Sequence, residues 1–76
     1  MNRPVYQIVS ELTEDRLDEA DTLDEAVRLA RGLAADAPAG DAVIVELDGR
    51  VVRRWVRAAT GVVEEPVGGP AARGVN

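Results

Sequence analysis

A chain of 76 residues has room for one domain with one modest core, because a chain this short buries only about 60% of the surface its unfolded form exposes. Cysteine and histidine are absent and all nine basic residues are arginine. That excludes disulfides, thiolate nucleophiles, Cys- or His-ligated metals, lysine Schiff bases and the usual general base near neutral pH. The net charge of −5 is unevenly spread: Glu11, Glu14, Asp15, Asp18, Glu19, Asp21, Asp24 and Glu25 face Arg16 alone, whereas Arg50, Arg53, Arg54 and Arg57 occur with no acid between them.

Met1-Asn2-Arg3-Pro4 leads into a strand-like run without an apolar leader region, and no apolar stretch exceeds four residues. A protein of the cytoplasm without a membrane span is expected. From Val5 to Leu12 the pattern is that of a strand, with Tyr6, Ile8, Ser10 and Leu12 on one face and Val5, Gln7, Val9 and Glu11 on the other. The acidic stretch that follows carries little periodicity. Leu17 and Ala20 allow a short second strand of a hairpin, and the same residues allow a loop.

Helical signals are clearest next. Thr22 with Glu25 three residues on forms a capping box, and Asp21, Asp24 and Glu25 complement the positive end of the helix dipole. Leu23, Ala26, Val27, Ala30, Leu33, Ala34 and Ala37 recur as one apolar stripe, with Arg28 and Arg31 turned towards solvent. Pro38 and Gly40 end the helix.

Residues 41–57 predict a β-hairpin turning at Asp48-Gly49, a type I′ signal. A regular two-residue turn sets Leu47 opposite Arg50, Val45 opposite Val52 and Val43 opposite Arg54, on the face shared with Val56. Ala42, Ile44, Glu46, Val51, Arg53, Trp55 and Arg57 then share the other face. From Thr60 the chain turns rich in Gly and Pro without a period, so residues 1–59 form the expected domain and residues 60–76 a flexible tail.

Together these elements predict an α+β fold, with one helix packed on a mainly antiparallel sheet of three or four strands, ordered βαββ or ββαββ. The segments DTLDEAVRLARGLA and AVIVELDGRVVRR resemble DUF2188-type small bacterial domains. The matching residues are Asp21, Thr22, Glu25, Ala26, Ala30 and Arg31, with Asp48, Gly49 and Arg50 at the turn. The resemblance implies a helix flanked by two hairpins and implies no activity.

The acidic run lacks the spacing of an EF-hand loop and is expected to be a solvated surface; no metal or cofactor is expected. Ser10, Thr13, Thr22 and Thr60 have no partner able to activate a hydroxyl, so an enzyme is not expected. The hairpin face carrying Ile44, Val51, Arg53, Trp55 and Arg57 is the candidate contact surface, because Trp and Arg are enriched at binding hot spots. Trp55 is equally readable as the largest core residue. The leading expectation is a non-enzymatic interaction module binding a protein partner or a second copy of itself. The alternatives are nucleic-acid binding through residues 50–57 and an acidic decoy for a nucleic-acid-binding protein.

Overall fold

A computed structural model describes residues 4–67. Its elements run β1 (Tyr6–Ser10), β2 (Arg16–Ala20), α1 (Leu23–Asp36), β3 (Ala42–Leu47), β4 (Arg50–Ala58) and β5 (Gly61–Glu65). The strands form one antiparallel sheet in the order β2-β1-β3-β4-β5. The α+β class holds, with five strands where three or four were expected. No helix among the described residues is long and apolar enough to cross a membrane.

The segment after Leu12 is a strand rather than a loop. Glu14 adopts a left-handed φ of 64°, while Glu14 N–H donates to the Ser10 carbonyl (2.7 Å) and Ser10 N–H donates to the Asp15 carbonyl (2.9 Å). This tight turn ends β1 earlier than the alternation suggested. Ala20 on β2 is buried, whereas Leu17 lies at an irregularity in the β1–β2 ladder and stays exposed.

At the start of α1, Thr22 has extended backbone geometry and its Oγ1 accepts from Glu25 N–H at 3.2 Å. The helix ends at Asp36, because Ala37 is extended ahead of Pro38. Ala26, Ala30 and Ala34 are all 0% exposed, and their i, i+4, i+8 spacing gives α1 a flat seam that lets its backbone approach the sheet. The bulk of the core therefore comes from the strands: Ile8, Val43, Val45 and Trp55. Leu23, Val27, Leu29 and Leu33 flank the seam, half-buried.

The β3–β4 turn has positive φ at both central residues, 54° at Asp48 and 80° at Gly49, as a type I′ turn requires. Leu47 does pair with Arg50, but the register then shifts. Glu46 opposes Val51 and Val45 opposes Arg53, so Val52 is an extra residue on β4, and Val43 opposes Trp55. Side chains alternate along a strand, so one extra residue exchanges the faces of everything beyond it. The expected pairs Val45–Val52 and Val43–Arg54 are corrected accordingly.

Residues 61–65 also correct the expected tail. They form β5, with Ala58 paired to Gly61 across the two-residue loop Ala59-Thr60. Gly61 has φ 151°, a value side chains other than glycine's rarely adopt. Val62 lands on the helix side and packs against the core. The rest of the expected tail, residues 68–76, lies outside the described residues.

Candidate interaction surface

Helix α1 covers one face of the sheet, and among the described residues no element covers the other. The register distributes the five candidate contact residues over both. Ile44 and Val51 stand on the open face, whereas Arg53, Trp55 and Arg57 follow Val43 and Val45 to the helix side. Trp55 is 1% exposed and is the largest fully buried side chain. The expectation of one shared face centred on Trp55 is therefore corrected, and its cause is the extra residue at Val52.

The open face carries Val9 on β1, Ile44 on β3, Val51 and Val56 on β4 and Val63 on β5, interleaved with the polar Gln7, Glu46, Arg54 and Glu65. Val9 and Val56 are half-buried, Val51 is exposed, and Val63 is 51% exposed. Ile44 is only 7% exposed although no helix lies over it. It sits between Val9 and Arg54, and the Arg54 side chain reaches across β3 to Glu11, just beyond the end of β1.

That reach is an ion-pair strap. The Arg54 guanidinium donates from Nη2 to Glu11 Oε1 at 2.7 Å and from Nε to Glu11 Oε2 at 3.2 Å, and from Nη1 to Glu65 on β5. The hydrogen bond from Arg54 holds the Glu11 carboxyl below its ordinary pKa, against the opposing effect of partial desolvation. The bond to Glu11 in turn raises Arg54 above the usual guanidinium value. The strap spans β1, β3, β4 and β5, with aliphatic side chains around it.

A second polar arrangement supports the upper edge of the sheet. Asp41 is buried, and its carboxylate accepts from Ser10 Oγ (3.2 Å), Leu12 N–H (3.2 Å) and Ala42 N–H (2.7 Å). It ties the β1–β2 turn to the start of β3. Neither this cluster nor the strap was singled out from the sequence. Asp41 follows Gly40 as an ordinary turn residue, and Arg54 meets Glu11 only through the corrected register.

Arg53 on the helix side lies 3.8 Å from the Glu64 carboxylate. Arg57 donates to the Ala58 carbonyl, and its buried Nε has no hydrogen-bond partner among the described residues. Among the described residues no group of three or more His, Cys, Asp or Glu is placed to hold a metal ion. Comparisons with protein-family models, curated proteins and solved structures give no match to this chain.

Proposed function

We propose that this protein is a non-enzymatic interaction module that pairs with a second copy of itself through the open sheet face. The observation that carries this reading is the aliphatic surface around Ile44 (Val9, Val51, Val56 and Val63) on the face opposite the helix. A contiguous apolar patch on a protein surface usually marks an interface. The charged strap through Arg54 adds the polar element that interfaces place among apolar contacts. A two-fold contact presents the same patch from both copies, so the strap and the valines would meet their own equivalents. The absence of His, Cys and Lys supports a binding rather than a chemical role.

Two alternatives remain in view. Nucleic-acid binding through residues 50–57 is weakened by the burial of Trp55, which removes the stacking surface, and by the ion pairs that engage Arg53 and Arg54. An acidic decoy is favoured by the exposure of Glu14, Asp15, Asp18, Glu19 and Asp21 along the β2 edge and its flanks.

The test is sizing by light scattering of the wild type and of a Val51→Glu, Val63→Glu variant. Both side chains are exposed, so the variant should fold. A dimer that becomes monomeric in the variant, with the same circular dichroism, supports the reading. A wild type that is monomeric at every concentration refutes self-pairing.

A further inference from the structure

On the helix side, away from the open face, α1 and β4 bound a groove of about 580 Å³ lined by Leu23, Asp24, Val27, Arg28, Arg31 and Arg53. We propose that this groove binds an extended acidic peptide segment of a partner protein, seating an aliphatic side chain on Leu23 and Val27 and carboxylates on Arg28 and Arg31.

Charge supports this occupant. Three guanidinium groups border the groove in a chain whose net charge is −5. Of these, Arg53 shares Glu64 at 3.8 Å, while Arg28 and Arg31 have no carboxylate within ion-pair distance among the described residues. Asp24 also lines the groove, but it belongs to the first turn of α1, where the helix dipole favours a negative charge. Arg28 and Arg31 lie three residues apart on α1 and so project from the same side of the helix, where two planar forks can each take a carboxylate.

Shape favours an extended segment. The groove is volumetrically within the range of ligand sites, and Arg31 also lines a second depression of about 480 Å³, together with Gly32, Ala35, Trp55, Val62 and Glu64. Chemistry favours a peptide over nucleic acid. Leu23 and Val27 give the groove an aliphatic lining, and Trp55 is buried, so no aromatic face is offered to a stacking base.

The experiment is fluorescence anisotropy of the full chain with a labelled peptide of alternating Glu and Leu. An alternating Lys and Leu peptide and a labelled oligothymidine serve for comparison. The wild type should bind the acidic peptide in preference to both, with affinity falling as salt rises. Arg28→Ala with Arg31→Ala, both exposed helix positions, should weaken that binding about ten-fold while leaving the melting temperature and the light-scattering mass unchanged. Absence of a preference for the acidic peptide, or equal binding by the variant, overturns the proposal. Oligothymidine binding that disappears in the variant assigns the groove to nucleic acid and overturns it as well. A change of oligomeric state in the variant would mean that a second copy fills the groove, which also refutes a separate partner. The Val51→Glu, Val63→Glu variant should bind the peptide like the wild type, so failure here and failure of the open-face dimer are separable.

Discussion

Arg54 and Glu11 are 43 positions apart in sequence and meet across β3 through two hydrogen bonds of 2.7 and 3.2 Å. The link ties the end of β1 to the middle of β4 without touching the helix side. Because the pairing lowers the folded-state pKa of Glu11, its contribution to stability is fully present above the unfolded glutamate pKa. It is lost as pH falls through the lowered folded value. Both side chains are substantially exposed, so solvent screening limits the effect. Glu11→Gln should cost less than about 1 kcal/mol at neutral pH. The difference from wild type should vanish in acid. Chemical denaturation of both proteins across pH measures it, and a gap that persists below the acid transition contradicts the assignment.

Trp55 is the single tryptophan and is fully buried beneath α1. Its fluorescence should be blue-shifted and protected from iodide, and should shift red on unfolding. Trp55→Ala should cost about 3–5 kcal/mol, comparable with all the stability a core of this size supplies. That variant should therefore be largely unfolded by circular dichroism. A red-shifted, readily quenched emission from the native protein would place Trp55 at the surface.

Asp41 gathers Ser10 Oγ, Leu12 N–H and Ala42 N–H on one carboxylate. Asp41→Ala leaves these donors without that acceptor in a part of the sheet that water reaches poorly, at a cost of about 1–3 kcal/mol. Asp41→Asn keeps one acceptor oxygen and should fall between the two. Urea unfolding should rank the three proteins in that order. An alanine variant as stable as the wild type would show that water replaces the carboxylate freely.

Thr22 caps α1 through a 3.2 Å bond from Glu25 N–H. Thr22→Ala should lower stability by about 1 kcal/mol, and Thr22→Ser should retain most of it. Thermal melting separates the cases; equal midpoints for wild type and alanine variant would mean the helix begins elsewhere.

Removing β5 by ending the chain after Thr60 should expose the β4 edge and strip Val62 from the core. An unpaired central strand invites edge-to-edge association. The truncated protein should melt earlier and aggregate on heating, as followed by turbidity. A melting temperature equal to that of the full chain would return residues 61–65 to the role of a tail.

Local chemistry, written in neighbouring residues, is what the sequence alone determined. Thr22 with Glu25 announced the helix start, Pro38 its end, Asp48-Gly49 the turn, and the Leu/Ala/Val spacing the buried stripe of α1. Each depends on hydrogen bonds or steric limits within a few positions, so each survives translation from sequence to structure. The candidate surface depended on something non-local. Val52 is an extra residue in β4 between its neighbours β3 and β5, and period-two alternation then carries Trp55 under the helix and Arg54 to the open face. β5 was hidden for a related reason. Ala59-Thr60 carries no strong turn signal, and only pairing with β4, together with the burial of Val62, makes that short segment a strand.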